Sequence, residues 1–178
     1  MNKVAVVTDS TAYIPKEYLE KYNITVAPQF LIWGDQTFED GVTIQPDEFY
    51  KRLATAKVMP TSSQPLASKM AQTFATLLDQ GYGVLGVFIS GKLSGTIRSA
   101  TQAREMLSSG REKVEIVDSQ TSAMAQGFQA LAAARAAADG ASLAACKTLA
   151  ENARARFDVR SRAVPPGSRR AKEPSSWA

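Results

Sequence analysis

The sequence has no histidine among its 178 residues, and this absence excludes several kinds of catalytic site. Hydrolases with a serine triad use histidine as the general base, and many zinc sites use its imidazole as a ligand. The single cysteine, Cys146, likewise excludes an internal disulfide and any metal site built from several cysteines. Because Cys146 lies in a stretch with helical periodicity, we expect a small buried thiol.

Long apolar runs are also lacking, because none approaches the roughly 18 residues that a membrane-spanning helix needs. The sequence therefore predicts no membrane span. Hydrophobic residues still make up 44% of the chain, as in globular proteins, and 178 residues are enough for one α/β domain of ordinary size or for one domain plus a fragment of a second. Residues 1–4 lead directly into a predicted strand, so we expect no signal peptide and a cytoplasmic location.

The net charge of +4 is concentrated at one end of the chain. Five of the 21 basic residues and one of the 17 acidic residues fall within positions 159–178, which leaves 16 of each in positions 1–158. Positions 1–158 therefore carry no net positive charge that would attract a phosphate backbone, so we expect no nucleic acid partner. A regulatory role that used the basic tail on nucleic acid would instead show a steep salt dependence of binding.

Apolar strands alternate with amphipathic helices along the chain, and this order predicts an α/β fold with a mostly parallel sheet and helices on both faces. A hairpin, or a strand with a reversed extension, is expected where Gly34-Asp35 separates two strand-like stretches, and Trp33 and Phe38 would either pack in the core or line an apolar cavity. The predicted strands occupy residues 3–8, 24–33, 37–39, 84–88 and 114–119.

Polar residues follow several of these strands at the points where the strands end. Ser10, Ser94 and Ser119 would meet at the carboxyl edge of a parallel sheet, which is where open α/β proteins bind ligands. Ser94 precedes a predicted helix and either caps it or contributes to a site for a small anion. Gly91 and Gly95 would let the backbone approach such a ligand closely.

A second segment rich in hydroxyl groups, Thr61-Ser62-Ser63, lies between Pro60 and Pro65. We interpret it as a rigid loop that caps the following helix, although three adjacent hydroxyls exceed the requirement of one cap. The order of elements along the chain does not place this loop at the same edge as Ser94.

Other chemistries fit parts of the sequence less well. Residues 86–93 match the spacing of a phosphate-binding loop except that Leu93 replaces the magnesium-binding Ser or Thr, and most of the match lies in an apolar strand. Asp9 and Asp118 could form a phosphoryl-transfer or hydrolase site, alone or with Asp40 around magnesium. Magnesium binding, and an activity that is lost without Asp9, would support that alternative. Acids spread through a sequence are more often caps and turn residues, so we predict neither a metal site nor a cofactor.

The order and spacing of several motifs resemble the DegV family of bacterial fatty-acid-binding proteins from Lys3 to about Asp158. The resemblance rests on Thr8-Asp9-Ser10-Thr11, Asp40-Gly41, Thr61-Ser62-Ser63-Gln64-Pro65, Ile89-Ser90 with Leu93-Ser94-Gly95-Thr96, and Val117-Asp118-Ser119.

This resemblance implies a non-catalytic carrier that holds a long-chain fatty acid and presents it to a partner fatty acid kinase for phosphorylation. By motif match, Ser62 and Ser94 would bind the carboxylate, and Ser10, Gly95 and Thr96 would support them. Ser62 stands where the family usually has threonine, which keeps the hydroxyl donor but loses a methyl group.

Members of the family have a second α/β domain that covers the acyl chain, and this sequence departs from that pattern. After Asp158 the composition changes to Arg, Pro, Gly and Ser with few large apolar residues, which cannot bury enough surface to fold. We therefore predict a DegV-like domain over residues 1–158 and a disordered basic tail over residues 159–178. The tail is either the product of a truncation or frameshift, which could leave a non-functional copy, or a natural extension.

Overall fold

The computed structural model describes residues 3–154, so the predicted tail over residues 159–178 lies outside the described residues. Within that range the strands are β1 (Lys3–Asp9), β2 (Thr25–Ala27), β3 (Phe30–Trp33), β4 (Gln36–Glu39), β5 (Thr61–Ser63), β6 (Tyr82–Phe88) and β7 (Val114–Asp118). The helices are α1 (Lys16–Lys21), α2 (Pro46–Ala54), α3 (Ala67–Asp79), α4 (Thr96–Glu105), α5 (Ala123–Ala138) and α6 (Leu143–Arg154).

Four strands form a parallel sheet in the order β2-β1-β6-β7, which confirms the predicted α/β fold. The two central strands are nearly continuous apolar runs because helices cover both of their faces. Val6 and Leu85 pack with α5 and α6, whereas Val7 and Phe88 pack with α3 and α4. The carboxyl ends of these strands therefore share one edge between two helical layers.

Helices α5 and α6 pack closely because small side chains dominate their contact. Elsewhere along α5, Gly127 faces the carbonyl oxygen of Ala12, and this oxygen would lie 2.6 Å from a Cβ built on Gly127. Cys146 and Ala150 of α6 are fully buried, which confirms the predicted environment of the thiol.

None of the helices within residues 3–154 combines the length and the apolar character that crossing a bilayer requires.

The predicted single strand over residues 24–33 is wrong, because it divides into β2 and β3, which belong to different sheets. Pro28 lies between them and has no N–H to continue the ladder with β1, so the chain leaves the parallel sheet there. Strand β3 then pairs with β4 in the predicted hairpin, in which Trp33 is opposite Gln36. Gly34 occupies the first turn position with φ of +60°, as a two-residue turn of type II′ requires.

The segment Thr61–Ser63 is a strand and not the predicted capping loop. As β5 it pairs with β3 and completes an antiparallel sheet in the order β4-β3-β5. The sequence did not indicate this strand, because all three of its side chains are polar and they show no alternation of apolar and polar residues. Pro60 and Pro65 beside it suit an edge strand, where one side of the backbone needs no partner.

Trp33 is a core residue of this second layer and does not line the cavity described below. Its indole N–H donates to the carbonyl oxygen of Val58 at 2.8 Å, and its ring meets Phe49 of α2 edge to face at 5.6 Å. The guanidinium of Arg52 lies 4.6 Å from the Trp33 ring and 5.2 Å from the Phe38 ring. These contacts attach α2 to one face of the antiparallel sheet.

Candidate functional site

A cavity of about 380 Å³ lies where the carboxyl edge of the parallel sheet meets the antiparallel sheet and α2. Ser62 and Ser94, the two carboxylate-binding residues proposed from the sequence, both line it, and so does Gly95. The other lining residues are Thr11, Tyr13, Gln29, Leu31, Asp40, Pro46, Phe49, Tyr50, Ser63, Gln64, Ile89 and Leu93.

The pairing of β5 with β3 determines the position of Ser62. Ser62 is directly opposite Leu31, and residues directly opposite in an antiparallel pair share one face of the sheet. Both residues line the cavity, and Ser62 is exposed. The convergence of Ser62 with Ser94 thus depends on a sheet that the sequence did not reveal.

Ser94 is not the N-cap of α4 as predicted, because the helix begins at Thr96 and Gly95 is the cap residue. The hydroxyl oxygen of Ser94 instead accepts a hydrogen bond from the backbone N–H of Thr96 at 3.3 Å. This is the local turn in which a serine bonds two residues ahead. Ser94 therefore satisfies one terminal N–H of the helix from one position farther out, and its side chain still lines the cavity.

Gln29 connects the cavity to the two predicted supporting residues that do not line it, Ser10 and Thr96. Its backbone N–H donates to Ser10 Oγ at 3.1 Å, and its side-chain Nε2 donates to Thr96 Oγ1 at 2.9 Å. Thr96 Oγ1 in turn lies 2.9 Å from Ser94 Oγ. Ser10 and Thr96 therefore hold Gln29, which lines the cavity in their place.

Gln29 was not among the residues predicted from the sequence, although a signal was present. A glutamine directly after Pro28, within an otherwise apolar stretch, is a polar group that must find buried partners. Tyr13 was also missed. It follows a 3₁₀ turn at Ser10–Ala12 and takes a left-handed backbone conformation with φ of 51°, which local sequence patterns do not indicate.

Asp9 has a structural role at the end of β1. Its fully buried carboxylate accepts hydrogen bonds from the backbone N–H of Thr11 at 3.0 Å, the backbone N–H of Ile89 at 2.8 Å and Gln126 Nε2 at 3.0 Å. The hydroxyl of Thr11 donates to it as well. These bonds join the end of β1 to the residue after β6 and to α5, so Asp9 fixes one wall of the cavity.

Asp118 also has a structural role, because it holds a loop and does not line the cavity. It accepts hydrogen bonds from the backbone N–H groups of Gly91 at 3.2 Å and Gln120 at 2.8 Å. Neither Asp9 nor Asp118 lines the cavity, and residues 3–154 contain no group of three His, Cys, Asp or Glu side chains placed to hold a metal ion. The two acids therefore act as turn and loop anchors here.

Asp40 alone, among the described residues that line the cavity, carries a charged side chain. Burial, the carboxylate of Asp40 and the nearby Tyr50 raise the pKa of Tyr13. The phenol therefore stays protonated well above neutral pH. The rest of the polar lining consists of neutral hydroxyls and amides, which can donate hydrogen bonds to an anion.

An α/β domain with a hydroxyl-lined cavity at the carboxyl edge of its parallel sheet has the architecture of a small-molecule-binding domain. The chain belongs to the DegV family, described as a family of uncharacterised proteins, which matches residues 3–160. A DegV domain-containing protein of Caldanaerobacter subterraneus subsp. tengcongensis is 37% identical over 142 residues, which is 80% of this chain and 50% of the relative. One from Listeria innocua is 38% identical over 136 residues, which is 76% of this chain and 47% of the relative.

Solved structures of the family agree with the fold. DegV from Bacillus subtilis, described as a fatty acid binding protein, superposes with a TM-score of 0.79 at 31% identity over 87% of this chain and 55% of that protein. A Thermus thermophilus DegV family protein, described by its fatty acid binding, gives a TM-score of 0.76 at 29% identity over 86% and 54%. The chain thus spans about half the length of the relatives it matches.

Proposed function

We propose that this chain binds a long-chain fatty acid with its carboxylate in the cavity between Ser62 and Ser94. The observation that carries the proposal is the convergence on one cavity of a hydroxyl from strand β5 of the antiparallel sheet and a hydroxyl from the loop that follows β6 of the parallel sheet. The fatty acid binding described for the Bacillus subtilis and Thermus thermophilus relatives supports the choice of ligand.

A chain of hydrogen bonds prepares Ser94 to act as a donor. Gln29 Nε2 donates to Thr96 Oγ1, and the Thr96 hydroxyl can then donate its own proton to Ser94 Oγ. In that arrangement the Ser94 proton is free for a ligand oxygen in the cavity. Hydrogen bonds from hydroxyls to an ionised carboxylate are about twice as strong as bonds between neutral groups.

The apolar part of the lining suits the first methylenes of an acyl chain. Leu31, Phe49, Ile89 and Leu93 provide side chains against which a hydrocarbon can pack. Each methylene removed from water stabilises the complex by about 0.8 kcal/mol. In this proposal a second domain like that of longer family members would cover the rest of the acyl chain, and without such a cover this chain holds its ligand more weakly.

The proposed carrier presents its ligand to a partner fatty acid kinase, which phosphorylates the carboxylate. Access from outside supports this step, because Ser62, Tyr13 and Tyr50 line the cavity and are exposed. The role requires no nucleophile, base or cofactor from the chain itself. We also propose a cytoplasmic location, where such a kinase would find ATP.

The binding test compares Ser62→Ala, Ser94→Ala and the double variant with the parent, using palmitate and isothermal calorimetry. If each hydroxyl donates to a charged oxygen, each replacement is expected to cost about 1.5 to 3 kcal/mol of binding free energy. Ser108→Ala removes an exposed hydroxyl outside the cavity and serves as the control. Serine variants that melt earlier but bind palmitate as tightly as the parent would show that the two serines only support the fold.

A further inference from the structure

The charges of the cavity do not match the ligand proposed for it. Asp40 lines the cavity, and no lysine or arginine among the described residues does so. A fatty acid carboxylate bound there would face a charge of its own sign without a cation in the lining. Like charges at short range weaken binding, so a compensating charge close behind the lining would favour the anion.

Arg98, in the first turn of α4, lies directly behind the lining. A Cβ built on Gly95 would meet Arg98 Nη2 at 3.1 Å and the side-chain amide carbon of Gln64 at 3.0 Å. Gly95 and Gln64 both line the cavity. The guanidinium is therefore separated from the cavity by a residue without a side chain and by one neutral amide.

No residue in the described part of the chain neutralises the charge of Arg98 in an ion pair. Within residues 3–154, neither Arg98 nor Lys92 takes part in an ion pair. Both residues line a shallow cleft on the outer side of the segment that carries Ser94. The cleft and the cavity share Leu93, Ser94 and Gly95, so one short segment separates the free positive charge from the ligand.

We propose that Arg98 is a specificity-determining residue that favours a negatively charged head group through the gap left by Gly95. The inference rests on the proposed function and adds to it a selection for ionised acids over uncharged lipids of the same length. In this role the guanidinium of Arg98 acts from beside the vacant Cβ position of Gly95, and its charge offsets that of Asp40.

The test compares palmitate with 1-hexadecanol, which has the same chain length and a hydroxyl but no charge. At about pH 8, where palmitate is ionised, Arg98→Gln is expected to lower palmitate affinity about two- to fivefold and to leave hexadecanol affinity unchanged. Arg98→Lys should retain most of the preference. In roughly 0.5 M salt the difference between the parent and Arg98→Gln should shrink, because exposed charges are screened.

Lys92→Gln is the matched control, since it removes an equal charge from the same cleft, and the cation closest to the Cβ position of Gly95 belongs to Arg98. A smaller effect than that of Arg98→Gln is expected, and an equal effect would overturn the specific role of Arg98. Equal losses for palmitate and hexadecanol in Arg98→Gln would show that Arg98 only positions Gln64, which also overturns the inference. If the parent binds palmitate and Arg98→Gln binds both ligands like the parent, the inference alone fails. If the parent binds neither ligand, the proposed function fails and the inference fails with it.

Discussion

Gln126 joins several parts of the interior of the site. It is fully buried in α5, and its Nε2 donates to Asp9 at 3.0 Å and to Thr8 Oγ1 at 3.2 Å. Its Oε1 lies 3.0 Å from the hydroxyl oxygen of Thr11, a residue of the cavity lining. One amide thus connects a helix, the buried carboxylate and the cavity wall.

Gln126→Leu is expected to lower the free energy of unfolding by about 1.5 to 3 kcal/mol, because the buried carboxylate of Asp9 would lose a donor that water cannot replace. Urea unfolding followed by circular dichroism measures the change. Gln102→Leu replaces an exposed glutamine of α4 and should shift the midpoint by far less. Equal shifts in the two variants would refute the importance of the buried bond.

Single residues also show how far the sequence predicts the site. Ser94 and Gly95 could be predicted because they follow an apolar strand and precede a helix. This order indicates the carboxyl edge of an α/β sheet, which is where such proteins bind ligands. For Gln29 the sequence shows only a polar residue in an apolar stretch, and its role could not be predicted, because that role arises from contacts with Ser10 and Thr96, which lie 19 and 67 positions away in the sequence.

Among the elements, the parallel sheet was predictable and the antiparallel sheet was not. Strands β1, β6 and β7 are apolar runs followed by helices, and that local signal is sufficient. Strand β5 has only hydroxyl side chains, and its identity comes from pairing with β3, which no local pattern shows. The hairpin of β3 and β4 was recognisable from the turn residues between the two strands.

The thiol of Cys146 can report how stably helix α6 packs against the rest of the fold. Cys146 is fully buried against the rest of the fold, and burial raises the pKa of its thiol. A raised pKa lowers the thiolate fraction at any pH below it, and the thiolate is the reactive form. We therefore expect iodoacetamide to label Cys146 in the native protein at least about a hundredfold more slowly than in urea, with labelling limited by opening of α6. Rapid labelling of the native protein, monitored by mass spectrometry, would show that α6 is not stably packed.

For the whole molecule, the domain boundary proposed near residue 158 predicts which truncations are tolerated. A chain of residues 1–158 should melt within about 1 °C of the complete chain, because the removed composition has little apolar surface to bury. A chain of residues 1–142 lacks α6 with its buried Cys146 and Ala150, and should melt much earlier or fail to fold. Differential scanning calorimetry of the three chains makes the comparison. A large drop on removing residues 159–178 alone would place the boundary elsewhere.

The three consecutive hydroxyls of β5 have a consequence for how the family could vary. A shift of one residue in strand pairing normally turns every side chain to the opposite face and would remove a binding group from its site. Here Thr61, Ser62 and Ser63 are neighbours, so a deletion or insertion of one residue before β5 would still leave a hydroxyl opposite Leu31. The side of the cavity that we propose to bind the carboxylate would therefore keep a hydroxyl group after small length changes in the preceding connection, and such changes need not abolish the proposed ligand binding.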